Sequence, residues 1–176
     1  ALIISDNESA NKMISWIGGI KKVQECFETI GLSNTYINRK FGSNTSITFK
    51  GCKEGNIYSN CTTPETLVKV MEYLVTGNNT LGLYLPKDKR DKIVSILSLR
   101  PRNINVNKPN DYCAFLQEKG PQKCGVALLD TSISNIAYIP DKHLIVFIGF
   151  RGEQLPNSQM SNVIQSIYNV GLNSVE

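Results

Sequence analysis

The hydrophobic period of this chain changes near Pro109, and that change limits the folds open to it. Before it, apolar residues recur at helical spacing. After it, they recur in short β-branched and aromatic runs between turn signals, at Tyr112–Leu116, Val126–Leu129, Asn135–Ile139 and Leu144–Phe150. Pro140-Asp141-Lys142 is a turn between the last two runs, which predicts an antiparallel hairpin. Helical spacing returns from about Asn157 to Val170, with Met160, Val163, Ile164 and Ile167 on one side. Helices, then an antiparallel sheet, then a closing helix is an α+β layering. The expectation is a mainly helical lobe over residues 1–100 and a sheet with its helix over 101–176. A chain of 176 residues can bury one sizeable core, so these are parts of one domain.

The helices are bounded by recognisable signals. Glu8 to Ile17 ends at Gly18-Gly19, with Ala10, Met13, Ile14 and Ile17 on one face. Ile20 to Ile30 follows, with Ile20, Val23, Phe27 and Ile30 inward and Gly31 placed to end it. Thr62-Thr63-Pro64-Glu65 combines a hydroxyl cap, proline at the first helical position and an acid in the first turn. Leu67, Val68, Met71, Leu74 and Val75 form the stripe behind it, up to Gly77. A fourth helix runs from about Asp88 to Leu99, with Ile93, Ile96 and Leu97 inward, stopped by Pro101. The Asn- and Gly-rich stretch between Tyr36 and Cys61 reads as loop, with one strand at Ser46–Phe49.

Composition excludes several classes. An apolar fraction of 41% and a charged fraction of 19% are those of an ordinary globular protein. The net charge of +4 is mild and scattered, and Lys87-Asp88-Lys89-Arg90-Asp91-Lys92 mixes both signs as a solvated helix start does. No nucleic-acid partner is expected. No apolar run reaches the length of a membrane span, and none reads as a signal peptide. The chain begins inside an apolar run, Ala1-Leu2-Ile3-Ile4, so a preceding segment is expected.

Five cysteines leave at least one unpaired. Cys52 and Cys61 bracket a short polar loop and could close it. Cys113 and Cys124 could meet across neighbouring strands. Cys26 shares a helix face with Val23, Phe27 and Ile30 and reads as a buried thiol. Disulfides would place the protein outside the cytoplasm, periplasmic or secreted. With His143 the sole histidine and no Cys-x-x-Cys spacing, no metal site is expected, and no motif calls for a cofactor.

Ser5-Asp6-Asn7 opens the first helix. Ser5 and Glu8 have the spacing of a capping box, in which the hydroxyl takes the third helical amide and the acid reaches back. The tripeptide, followed by Ala10-Asn11, an amphipathic helix, Gly-Gly, a second helix and Gly31-Leu32-Ser33-Asn34-Thr35, resembles the serine β-lactamase and penicillin-binding family. The resemblance is to its class A-like branch. The Thr-Thr-Pro helix start and Gly152-x-Gln154 before the last helix extend it over most of the chain. It implies a β-lactamase/transpeptidase-like fold, with a helical lobe beside an antiparallel sheet flanked by helices. It also implies a small-molecule or peptide substrate, a β-lactam or a cell-wall peptide amide.

The resemblance assigns roles. In this family a Ser-x-x-Lys motif supplies nucleophile and base. The serine of Ser-Asp-Asn passes a proton to the leaving nitrogen, and the asparagine holds the substrate amide. These positions are Ser5 and Asn7, with Asp6 turned inward to fix the loop. A Lys-Thr-Gly on the edge strand binds the substrate carboxylate, and the residue after it offers an oxyanion amide. Lys119-Gly120-Pro121 lacks the hydroxyl, and its proline lacks an amide hydrogen. Lys123-Cys124-Gly125 changes only the threonine and is better spaced from the Pro-Asp-Lys turn. The candidates are therefore Ser5 and Lys123 as catalytic, and Asn7, Cys124, Gly125 and Val126 as substrate-binding. The competing reading is a helix cap and a surface lysine entering a strand.

Two family features are altered. Ser9-Ala10-Asn11-Lys12 fits Ser-x-x-Lys but lies after Ser-Asp-Asn, where it reads as exposed helix. The nucleophile is expected on residues preceding Ala1. The loop glutamate that activates water in class A enzymes would fall near Phe41, and Glu54 is at the wrong spacing. A thiol at Cys124 is also a weaker donor than a hydroxyl, and a disulfide would remove it. Two functions follow: a serine acyl hydrolase, or a catalytically inactive β-lactamase-fold binding or structural module.

Overall fold

In the computed structural model, the residues described are 2, 5–48, 50–54, 56–99, 119–127, 132–151 and 157–174. They fall into two compact units, residues 1–87 and 88–176.

The first unit is built on helices. α1 spans Asn7–Ile17 and ends on Gly18, whose φ of 108° is the left-handed geometry that glycine adopts without cost. Asp6, not Ser5, caps it: its carboxylate accepts the Ser9 amide at 2.6 Å. The expected Ser5–Glu8 capping box is therefore corrected. Glu8 instead pairs with Lys12 at 2.9 Å on the solvent side. Aspartate caps as well as serine, and the chain reaches the helix one residue later than the box requires. Ile14 is buried, while Met13 and Ile17 stay about half exposed, so the inward face is narrower than expected.

α2 spans Ile20–Thr29 and buries Ile20, Val23 and Gln24, with Phe27 packed alongside. Ile14 and Ile37 complete this core. The buried positions follow i, i+3, i+4 and i+7, so Gln24 takes the inner position and Cys26 turns outward. The expectation of a buried Cys26 is corrected: its thiol is free and exposed. The Gln24 amide is paired inside, donating to the Thr35 carbonyl at 3.3 Å and accepting the Ile37 amide at 3.0 Å.

The connection from Tyr36 to Cys61 is closed at its ends by reciprocal backbone bonds between those two residues, at 2.8 and 2.9 Å. Within it, β1 (Lys53–Glu54) and β2 (Ile57–Tyr58) make a small antiparallel hairpin. Cys52 and Cys61 form a disulfide. The strand expected at Ser46–Phe49 is not found over residues 46–48, and Phe49 lies outside the described residues. The backbone there is tied to Asn38 instead: the Ile47 amide donates to the Asn38 carbonyl at 2.6 Å. α3 (Pro64–Thr76) starts as its sequence dictates, with Thr63 Oγ1 accepting the Thr66 amide and Gly77 at the left-handed end. Met71 and Tyr73 are its most buried residues.

The second unit is mixed. α4 (Lys87–Leu97) opens on an exposed charged turn and buries Leu97. β3 (Gln122–Ala127), β4 (Ser132–Ile139) and β5 (Leu144–Arg151) form an antiparallel sheet in that order. A 3-10 turn over Pro140–Lys142 joins β4 to β5, giving the expected hairpin. β3 begins at Gln122, ahead of the expected Val126, and the segment expected at Tyr112–Leu116 lies outside the described residues. Gly120 is required before β3, since a Cβ there would lie 2.1 Å from the Tyr138 carbonyl oxygen.

α5 (Asn157–Asn173) covers one face of this sheet. Ala137, Ile139 and Ile148 pack with Ile164 and Tyr168 of the helix. The expected inward stripe is corrected in part. Ile164 is buried, but Val163 and Ile167 are exposed, and Tyr168 and Leu172 continue the inner line at i+4 spacing. Tyrosine contributes to such a face because its ring is apolar and only its tip needs water.

Candidate active site

Ser5 and Asn7 lie together at the start of α1, in the first unit. Because Asp6 takes the cap, neither neighbour is used for it. Ser5 is exposed and has φ 53°, left-handed for a residue with a Cβ. Such a conformation costs about 1 kcal/mol or more, and non-glycine residues held in it cluster at functional sites. Asn7, the first residue of the helix, is also exposed. Hydrogen bonds from Ser9, its hydroxyl first and its amide next, hold the Asp6 carboxyl below the usual range. The cap is thus a carboxylate at neutral pH.

One helical turn beyond Asn7, Asn11 grips the loop. Its Nδ2 donates to the Phe41 carbonyl at 3.0 Å, and its Oδ1 accepts the Phe41 amide at 2.9 Å. Phe41 and Gly42 are the central pair of a tight turn closed by the Ser43 amide on the Lys40 carbonyl at 3.1 Å. Gly42 has φ 78°, as the second central residue of a type II turn must. A Cβ on Gly42 would lie 3.6 Å from Asn7 Nδ2, so the turn abuts the Asn7 amide. The loop position where chain counting places a glutamate is therefore next to Ser-Asp-Asn, and the side chain there is a phenyl ring.

Asn38 makes this loop rigid from within. It is fully buried, and its Nδ2 donates to the carbonyls of Lys50 (2.8 Å) and Ser59 (2.7 Å). Its Oδ1 accepts the Thr48 hydroxyl. Asn60 Oδ1 accepts the amides of Asn38 and Arg39 at 2.7 and 2.9 Å, and its Nδ2 donates to the Arg39 carbonyl at 2.9 Å. Arg39 in turn reaches the Ser43 carbonyl at 3.2 Å. Asn11, Asn38 and Asn60 were not among the expected site residues. Their signal was an Asn within a helix at i+4 from Asn7, and asparagines in a loop, where side-chain amides replace backbone partners.

Lys123, Cys124, Gly125 and Val126 all lie on β3, in the second unit, and among the described residues β3 is an edge strand. Lys123 pairs with Ile136, on the sheet face opposite to Ala137 and Ile139. It is half-buried, and its ammonium donates to the Cys124 carbonyl at 2.7 Å. Burial pushes its pKa below the ordinary lysine value. Lys119, in the rejected register, sits before the strand with its ammonium 5.9 Å from the centre of the Tyr168 ring. Cys124 is disulfide-bonded and so has no S–H to donate, which removes a thiol hydrogen bond to substrate. Its expected partner Cys113 lies outside the described residues. Gly125 pairs with Ser134 and Val126 with Ile133 in the ladder. Lys12, of the downstream Ser-x-x-Lys, is exposed and paired with Glu8, and the Ser9 amide is used by the Asp6 cap.

Among the described residues no cluster of His, Cys, Asp or Glu could hold a metal ion, and no helix is long and apolar enough to cross a membrane.

Comparison with known proteins agrees with this architecture. An ancestral class A β-lactamase has 20% identity and a TM-score of 0.66, with 99% of this chain and 62% of that one covered. The class A β-lactamase of the last common ancestor of Gram-negative bacteria has 18% identity and a TM-score of 0.67, with 97% and 62% covered. A variant of that ancestor bound to 5(6)-nitrobenzotriazole has 18% identity and a TM-score of 0.69, with 99% and 63% covered. The fold is that of class A β-lactamases, and the chain spans about three-fifths of their length, 62% in the first of them. No curated protein matches it. The model of the β-lactamase enzyme family matches residues 1–167, and the chain belongs to that family.

Proposed function

We propose that this chain carries the proton-relay and substrate-holding part of a serine acyl-transfer site. The nucleophile would come from a Ser-x-x-Lys segment preceding Ala1. The substrate class is a β-lactam or a cell-wall peptide amide. The nucleophilic serine oxygen bonds to the substrate carbonyl carbon, and the carbonyl carbon–nitrogen bond breaks. The Ser5 hydroxyl relays the serine proton to the departing nitrogen. Asn7 holds the substrate amide, Lys123 attracts the substrate carboxylate, and the backbone at Gly125–Val126 faces the oxyanion. Cys124 contributes backbone only. The Cys52–Cys61 pair and the bonded Cys124 favour an extracytoplasmic location.

The observation that carries this reading is the conformation of Ser5. Ser5 is kept at positive φ, a backbone that glycine would accept freely, which supports a role for its side chain. A second reading is favoured by Phe41: a phenyl ring stands in the loop position where class A enzymes carry the glutamate that activates the deacylating water. The protein would then be acylated without fast turnover. Intact-mass measurement of the full-length protein with a labelled penicillin separates the two. A stable adduct supports acylation without turnover, and a transient adduct with released penicilloic acid supports a hydrolase. The absence of both adduct and hydrolysis rules out the acyl-transfer function.

A further inference from the structure

Resting on that acyl-transfer reading, we propose that Phe41 is a specificity-determining residue. Its ring forms an apolar wall of the substrate site and selects acyl side chains that carry an aromatic group.

Asn7, Asn11 and Phe41 all lie in the first unit. Phe41 is 43% exposed, although it is a large apolar side chain. Its backbone is nonetheless held at both its amide and its carbonyl. Asn11 takes both its amide and its carbonyl, and the Lys40–Ser43 turn sets its direction. The neighbouring Arg39 is anchored by Asn60 and by the Ser43 carbonyl. An exposed phenyl on a fixed turn loses little further freedom when it meets a ligand, so its contact energy is kept. Gly42 brings the same turn against the Asn7 amide, where the substrate amide would lie. A substituent extending from that amide passes the Phe41 position. Lys40, the charged residue of the turn, precedes the apex and is exposed, so the apex itself presents a ring and a glycine.

The test compares benzylpenicillin with 6-aminopenicillanic acid, which share the bicyclic nucleus and differ by the phenylacetyl group. Acylation rates of the full-length protein are read by intact mass for the native chain, Phe41→Ala and Phe41→Tyr. The native protein is expected to favour benzylpenicillin, and Phe41→Ala to lower that rate ratio about tenfold, the scale of one aromatic contact. Phe41→Tyr, which keeps the ring, is expected to keep the ratio. A ratio unchanged by Phe41→Ala overturns the inference while leaving acyl transfer in place. Absence of adduct from both compounds overturns acyl transfer and this inference with it.

Discussion

The carboxylate of Asp6 accepts the Ser9 amide at 2.6 Å, and this single bond decides that the helix is capped by the second residue of the Ser-Asp-Asn motif rather than the first. Because the capped form is ionised, its folded-state pKa is below the unfolded one. Its contribution is therefore complete above the unfolded value and is lost as pH falls through the folded value. Thermal unfolding of Asp6→Asn should match the native protein at neutral pH, since an amide also caps, and lose less on acidification. Asp6→Ala should be less stable at neutral pH. Equal acid sensitivity in native and Asp6→Asn chains would show that this carboxylate does not matter.

Asn11 offers a local test of the loop. Asn11→Ala removes both bonds to Phe41, each worth about 1 kcal/mol net. Amide hydrogen exchange at Phe41 should accelerate about tenfold or more, with little change inside α1. Unaltered exchange there would mean that the Lys40–Ser43 turn holds Phe41 unaided.

Asn38→Ala removes a fully buried side-chain amide and takes its Nδ2 donor from the Lys50 and Ser59 carbonyls, now bonded at 2.8 and 2.7 Å. The expected loss of stability is about 2–4 kcal/mol by urea unfolding. A loss below about 0.5 kcal/mol, the level of an ordinary surface change, would contradict the network described.

Cys52 and Cys61 are nine residues apart, and a disulfide closing so short a loop contributes about 2–3 kcal/mol. The double variant Cys52→Ala, Cys61→Ala should lose that amount. Alkylation of the native, unreduced protein should modify Cys26, which is free and exposed, and leave Cys52, Cys61 and Cys124 untouched. Peptide mapping reads both outcomes.

Lys123 tests the edge strand. Burial lowers its pKa from the ordinary 10.5. Below the lowered value both folded and unfolded chains hold the proton, and the folded one carries the cost of burying it. Between that value and 10.5 the unfolded chain binds more protons, so stability rises with pH. Lys123→Met should lack this rise, so the stability difference between variant and native protein should shift toward the native one at alkaline pH. The ammonium is half exposed, so the effect is modest, under about 1 kcal/mol. A shift in the opposite direction would exclude a desolvated ammonium.

Much of the architecture was legible in local chemistry. Thr63-Pro64 and Gly77 bound α3 because a hydroxyl acceptor, a missing amide hydrogen and a left-handed glycine act within a few residues. The Pro140–Lys142 turn and the period-two runs around it specified the β4–β5 hairpin for the same reason. The family was expected from the sequence, and the match over residues 1–167 bears out the family.

Tertiary structure alone decided the rest. Which of two adjacent residues caps α1 depends on the direction from which the chain arrives, and spacing does not contain that direction. Gln24 is buried and Cys26, expected inside, is exposed because the Thr35–Ile37 backbone, distant in sequence, offers the Gln24 amide its partners. The Ser46–Thr48 segment is tied to Asn38 instead of pairing as a strand, since a buried amide there competes for the backbone groups a ladder would use. Phe41 came to lie against α1 through two hydrogen bonds to Asn11 that span thirty residues. Local sequence dictates contacts made within a turn or two, whereas a polar site is assembled by partners that only folding brings within reach.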